Sequence, residues 1–277
     1  AGGEGSHPVI DDVAAEVLRS RRYRWIAPDL VRRLVREEVP RSRNRADTVK
    51  RTKRRLHQSF GAYVWDIRPD EALAQLRAAR DTGDEARLRD ACREILSRHA
   101  STRERLPVLD RFYPEVFQIT GAPQVLMDVA CGLGPLALPW MSLPPGASYL
   151  AFDIDRRLIE LVDGFLDLCG VPHLTEVRDV AAQPPATPAD VALLLKTAPC
   201  LEQQHAGSAR RLIAALHARH IVLSFPTRSL GGASKGMVEH YRDQLTTMVV
   251  GSDWRITELL FPPELVYVLT RRPQEEA

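Results

Sequence analysis

Three aspartates carry the first chemistry legible in this chain. Asp128 lies in Val125–Leu126–Met127–Asp128–Val129–Ala130–Cys131–Gly132–Leu133–Gly134–Pro135, an apolar run that ends in glycines. Asp153 closes a second run, Ala151–Phe152–Asp153, twenty-one residues after Gly132, and Asp179 follows a third in Val177–Arg178–Asp179–Val180. Glycine lets a backbone approach a ligand closely, and an acid about 20 residues later accepts hydrogen bonds from ribose hydroxyls. The spacing is that of a nucleoside cofactor site. An acid at the third position can take the exocyclic amine of adenine. Gly132–Leu133–Gly134–Pro135–Leu136–Ala137 also satisfies G-x-G-x-x-A, which dinucleotide enzymes share, so the glycines alone leave the cofactor open.

These acids need strands to hold them. Short apolar runs at 125–130, 148–153, 174–179, 190–195 and 220–225 alternate with helical segments. Such alternation predicts a mostly parallel sheet with helices on both faces. The glycine turn after the first run is expected to lead into a helix. Arg255–Leu260 and Leu265–Thr270 flank Pro262–Pro263 and alternate in polarity, which predicts an antiparallel terminal hairpin.

The first hundred residues read differently. Pro28–Asp29 opens a segment in which Leu30, Val31, Leu34 and Val35 repeat with helical spacing. Asp47 is the expected cap of a helix running toward Gly61. Asp70–Glu71 starts another, which breaks near Thr82–Gly83, and Asp84 starts one carrying Leu88, Ala91, Cys92 and Ile95. Ser101 is the expected cap of the next. Residues 1–105 are therefore expected to form a helical N-terminal domain, and residues 106–277 an α/β domain.

Composition narrows the class. A chain of 277 residues, 44% hydrophobic and 27% charged, can bury a sizeable core. No apolar run is long enough for a membrane helix, and the opening residues lack the pattern of a signal peptide. Cys92, Cys131, Cys169 and Cys200 form no CxxC pair. This spacing predicts neither a zinc site nor a disulfide framework, and a cytoplasmic protein without a metal.

Charge is uneven. Residues 1–60 hold 15 Lys and Arg against 8 Asp and Glu, and the remainder is net acidic. Arg41, Arg43, Arg45, Lys50, Arg51, Lys53, Arg54 and Arg55 fall within fifteen residues, interrupted by Asp47 alone. A solvated helix face usually mixes signs. These eight are expected to meet a phosphate backbone, positioning RNA or DNA without reading its sequence.

Three separated blocks bear a specific resemblance. They are His99–Ala100–Ser101–Thr102–Arg103–Glu104–Arg105–Leu106, Asp128–Leu138, and Ser224–Gly232 with Lys235–Gly236–Met237. Together they resemble the aminoglycoside-resistance methyltransferases of 16S ribosomal RNA, which methylate N7 of guanine-1405 in the decoding site. The likeness runs from about Arg22 to the end. It implies a Rossmann-like class I fold dependent on S-adenosyl-L-methionine, with a helical N-terminal domain that engages the 30S subunit. It further implies cofactor contacts from Tyr63, His99, Ala100, Ser101, Arg105, Ala130, Gly132, Asp153, Asp179, Val180, Leu195 and Gln204. Arg105 would pair the cofactor carboxylate, Asp153 the ribose, and Asp179 with Val180 the adenine.

The implied chemistry needs little acid–base help. Guanine N7 has an in-plane lone pair and no proton to lose, so alignment is the main requirement and no catalytic triad is expected. Lys196 follows the fourth strand and is expected to contact the target nucleotide or its phosphate. The loop Thr227–Gly236, with Arg228 and Lys235, is expected to close over a flipped base. Pro199–Cys200 also fits the nucleophile of cytosine-5 methyltransferases, against which stands an ordinary packing cysteine. A methyltransferase of adenine N1 or cytosine C5, a non-catalytic RNA-binding factor and a nicotinamide dehydrogenase are the rival readings. The last leaves the basic segment unexplained.

Overall fold

The structure, a computed structural model, describes residues 8–60, 68–227 and 236–272. Tyr63, Arg228 and Lys235 lie outside the described residues. Seven strands form one sheet: β1 Val125–Val129, β2 Ser148–Asp153, β3 His173–Val177, β4 Ala189–Leu195, β5 Ala218–Pro226, β6 Trp254–Leu260 and β7 Glu264–Arg271. Their spatial order is β3-β2-β1-β4-β5-β7-β6. The first five run parallel. β7 enters antiparallel between β5 and the edge strand β6, so the expected hairpin forms with its second strand innermost. Apart from Asp128 and Asp190, β1 and β4 are apolar throughout, because helices cover both faces of a parallel sheet. Edge strand β6 is open to solvent, with Arg255, Ile256, Glu258 and Leu260 exposed and the residues between them half-buried. The chain leaves β1 toward β2 and returns on its other side as β4. This reversal opens a crevice at the carboxyl ends of β1 and β4, where open α/β sheets bind ligands.

Eleven α-helices fall among the described residues. The N-terminal three are α1 Pro8–Leu18, α2 Pro28–Glu38 and α3 Arg45–Phe60. They close on a core of their own, with Val13, Val17, Leu30, Leu34, Val35 and Leu56. The next four are α4 Pro69–Arg80, α5 Glu85–Ser97, α6 Ala100–Arg105 and α7 Leu109–Thr120. α4, α5 and α7 do not join that core. Leu76, Ile95, Phe112 and Val116 pack with α8 (Arg156–Leu168) on one face of the sheet. The buried clusters thus part between α3 and α4, not at residue 105. α9 Thr197–Gln204, α10 Ser208–Ala215 and α11 Met237–Val249 cover the other face.

Local chemistry sets the helix starts. Asp84 and Asp155 cap α5 and α8 by accepting the amides of Ala86 and Arg157, each at 2.9 Å. Two expected caps move. Asn44, not Asp47, caps α3: its Oδ1 accepts the Asp47 amide, while Asp47 reaches back to the amide of Arg43. Ser101 lies inside α6, which His99 precedes. The glycine turn leads into a 3₁₀ helix, Gly134–Trp140, rather than an α-helix. Pro139, inside this segment, removes an amide donor that an α-helix there would use.

The N-terminal helices are stitched to the sheet beside the crevice. The Ala27 amide donates to the Ile154 carbonyl at 2.7 Å, and the Arg156 amide to the Trp25 carbonyl at 2.9 Å. Both bonds fall on the turn between β2 and α8.

Candidate active site

A cavity opens at the carboxyl ends of β1 and β4, and its lining gathers most of the residues singled out above. His99, Ser101, Arg105, Ala130, Gly132, Asp153, Asp179, Val180, Leu195, Lys196 and Gln204 all line it. Ala100 does not line it; it is half-buried at the start of α6. The walls hold backbone strain. Ala130 and Lys196 adopt left-handed conformations, with φ of 57° and 58° at the ends of β1 and β4. Such geometry persists in a non-glycine residue only where the surrounding structure enforces it. Gly132, at φ 53°, turns the loop back so that its amide donates to Asp153 Oδ2 at 2.8 Å. A Cβ there would also stand 3.4 Å from the His99 ring.

Asp153 is held from two sides, because its Oδ1 accepts the Asp155 amide at 2.9 Å. Burial raises its carboxyl to about 6, against the pull of these two backbone donors. Asp128 is more enclosed. Burial raises it to about 7, although the Tyr149 hydroxyl donates to its Oδ2 at 2.9 Å. It lies beneath Gly134, where a Cβ would come within 2.6 Å of Asp128 Oδ2. Burial also lowers His99 to about 4, with Lys196 adding to the effect, so this ring is neutral at neutral pH. Its Nδ1 faces Ser101 Oγ at 2.9 Å.

Two of the cavity's cations are paired with acids from distant segments. Arg105 is 4% exposed, and its Nη2 donates to Glu264 Oε2 at 3.0 Å. Its guanidinium also lies over the Phe112 ring. The Lys196 ammonium does not face the surface either. It donates to the Ser101 carbonyl at 3.0 Å and Glu104 Oε2 at 2.5 Å, and stands 3.3 Å from Glu264 Oε1. At 5% exposure, such a charge must be paired rather than offered to a phosphate. Burial pushes Glu264 up, but Arg105 and Lys196 outweigh it and hold the carboxyl below its ordinary value. Glu264 is the linchpin that no motif in the sequence revealed. Its one signal was a lone acid heading an apolar strand.

The opposite wall comes from the N-terminal helices. Ile26 lines the cavity, and Arg33 of α2 donates through Nε to Asp179 Oδ2 at 2.7 Å. The same guanidinium reaches Gln204 Oε1 at 3.2 Å. No local pattern pointed to Arg33, which is 146 residues from Asp179. Cys200 lines the cavity from α9, with Sγ 3.6 Å from the Lys196 carbonyl.

The basic segment divides in two. Glu38 of α2 is buried and takes Arg51 at 2.6 Å and Arg55 at 3.3 Å, with Arg41 at 3.9 Å. Arg55 also meets Glu37 at 2.6 Å, and Arg45 meets Glu16 at 3.0 Å. Arg51 and Arg55 thus serve the bundle rather than an open phosphate-binding face. Arg43, Lys50 and Arg54 are exposed, Lys53 is half-buried, and none has a side-chain ion pair among the described residues.

A seven-stranded sheet with this strand order and a crevice lined by strand-end acids defines a Rossmann-like class I methyltransferase fold. A family model, Ribosomal RNA methyltransferase (FmrO), matches residues 19–268, and the chain belongs to that family. It is 45% identical over 265 residues to a 16S rRNA (guanine(1405)-N(7))-methyltransferase of Micromonospora echinospora, covering 95% of this chain and 97% of the relative. It is 43% identical over 263 residues to a protein of the same name from Micromonospora rosea, covering 94% and 96%. Among solved structures, 16S rRNA methyltransferase RmtF in complex with S-adenosyl-L-homocysteine superposes with a TM-score of 0.82 at 34% identity, covering 97% of this chain and all of that one.

Proposed function

We propose that this chain transfers a methyl group from S-adenosyl-L-methionine to N7 of guanine-1405 of 16S ribosomal RNA, within the assembled 30S subunit. The carrying observation is the cavity itself: Asp153 beneath Gly132 and Asp179 beside Gln204, in a chain of the ribosomal RNA methyltransferase family.

The residues fit that cofactor. The left-handed Gly132 leaves a cradle that a Cβ would narrow against His99. Asp153 keeps acceptor capacity for ribose hydroxyls beyond its two backbone donors. Asp179 and Gln204 would take the adenine, with Val180 and Leu195 as apolar walls. Arg105, although bonded to Glu264, still lines the cavity and would stand toward the cofactor's carboxylate. When bound, the cofactor supplies an electrophilic sulfonium methyl.

The protein then has one task, which is to hold guanine N7 in line with that methyl. No side chain must remove a proton. The neutral His99 and the fully paired Lys196 agree with a site built for placement. Arg228 and Lys235 remain our candidates for holding the target base. Arg43, Lys50, Lys53 and Arg54 are our first candidates for phosphate contacts, with the exposed Arg41 and Arg45 beside them. A product methylated in the decoding site would block aminoglycosides there and confer resistance in the cytoplasm.

Unmethylated 30S subunits, radiolabelled cofactor and the purified protein provide the test. The modified nucleotide is mapped by aniline cleavage after borohydride reduction. A break at guanine-1405 is the expected result. Label at another base would refute the substrate assignment, and no label despite cofactor binding would favour a non-catalytic role.

A further inference from the structure

We propose that Arg33, on the N-terminal bundle, is a positioning residue that makes the cofactor site read adenine. It would do so by holding Asp179 and Gln204 as an acceptor and a donor side by side. The proposal rests on the reading of Asp179 as an adenine contact and adds the group that sets it.

A guanidinium only donates. The Gln204 amide atom 3.2 Å from Arg33 Nη2 is therefore its oxygen, and the amide nitrogen is left as a donor. Arg33 Nε occupies Asp179 Oδ2 at 2.7 Å, while Asp179 Oδ1 accepts the Ala181 amide at 3.3 Å with a lone pair to spare. Both residues line the cavity. An acceptor beside a donor matches the 6-amino group and N1 of adenine. In hypoxanthine both groups are inverted, with an oxygen at position 6 and a hydrogen on N1.

Arg33 is itself braced. Its Nη1 meets Glu37 Oε1 at 3.2 Å, and Glu37 Oε2 takes Arg55 at 2.6 Å. Arg55 Nη2 then reaches the Gln204 carbonyl at 3.1 Å. The guanidinium is thus fixed from α2 and α3 while it fixes Asp179 and α9. With methionine at position 33, the Gln204 amide would lose the group that sets its orientation, and the Asp179 carboxylate would lose its charged partner.

Titration calorimetry with S-adenosyl-L-homocysteine and S-inosyl-L-homocysteine tests this on the full chain, for the wild type, Arg33→Met, Arg33→Lys and Asp179→Asn. The wild type should prefer the adenosyl compound. Arg33→Met should weaken adenosyl binding roughly tenfold or more and lose most of the preference, with the kinetic loss in the KM for cofactor rather than in kcat. Arg33→Lys, which reaches one acceptor but not both, should fall between. It carries the comparison if the methionine variant does not fold. Wild-type preference retained in Arg33→Met, or in Arg33→Lys if that variant carries the comparison, would overturn the proposal. If Asp179→Asn alone loses the preference, the adenine reading stands and Arg33 is only structural. If Asp179→Asn keeps it as well, the adenine reading itself fails.

Discussion

Asp153 shows how burial and backbone donors share control of one carboxyl. Burial raises it to about 6, and ribose hydroxyls donate better to the ionised form. Cofactor affinity should therefore rise with pH from 5 to 7, with a midpoint near 6, and Asp153→Asn should flatten the profile. Calorimetry across that range checks it. Asp128 bears on stability. Its carboxyl is raised to about 7 in the fold, so the folded state binds the proton more tightly than the unfolded chain. Its contribution is fully present below the unfolded carboxylate pKa and is lost as pH rises through about 7. Asp128→Asn, neutral at every pH, should raise the melting temperature at pH 8 relative to the wild type and have little effect at pH 4. A lower value at pH 8 would show that the carboxylate form is the one the fold requires. Cys200→Ala should retain methylation, since N7 chemistry uses no thiol; loss of label incorporation would revive the cytosine-5 reading.

At the scale of elements, α3 separates charge that stabilises from charge that remains available. Lys50→Ala with Arg54→Ala should weaken 30S binding and lower the salt slope of log K by roughly 0.7–0.9 for each phosphate no longer neutralised. Thermal stability should stay near wild type, because neither side chain is ion-paired among the described residues. Arg55→Ala should instead destabilise the protein by about 1–3 kcal/mol, since it removes a partner of the buried Glu38. Urea unfolding and filter binding read the two effects separately. Equal effects of both variants on binding and stability would contradict this division. Sequence could not draw it: a fifteen-residue window sees Asp47 but not Glu16, Glu37 or Glu38, which meet α3 only after α1 and α2 fold against it. The caps show the same limit. Asp47 and Ser101 have suitable side chains, but a cap depends on which residue leaves helical geometry, and there Asn44 and His99 stand.

Among the described residues three buried clusters, one in the bundle and one on each face of the sheet, meet around the cofactor cavity. The bundle of α1 to α3 has its own interior, yet it touches the sheet at Ile26, Ala27 and Arg33, beside the turn after β2 and the acid after β3. Cofactor binding should therefore slow amide exchange in residues 26–35 as well as in the loops after β1 and β2. Hydrogen-exchange mass spectrometry with and without S-adenosyl-L-homocysteine measures this. Protection confined to the sheet loops would mean that the bundle and the cofactor site act independently.

The sequence by itself determined the alternating parallel architecture, the closing hairpin and the three strand-end acids. Each of these follows from periodicity and from spacing along one stretch of chain. Tertiary structure alone decided where the long side chains went. Lys196 turned inward because Glu104 and Glu264 wait there from two distant segments, Arg105 found Glu264 159 residues away, and Arg33 crossed from another core to Asp179. A buried charge takes whatever opposite charge the fold brings within about 4 Å, and no spacing in the chain records which one that will be.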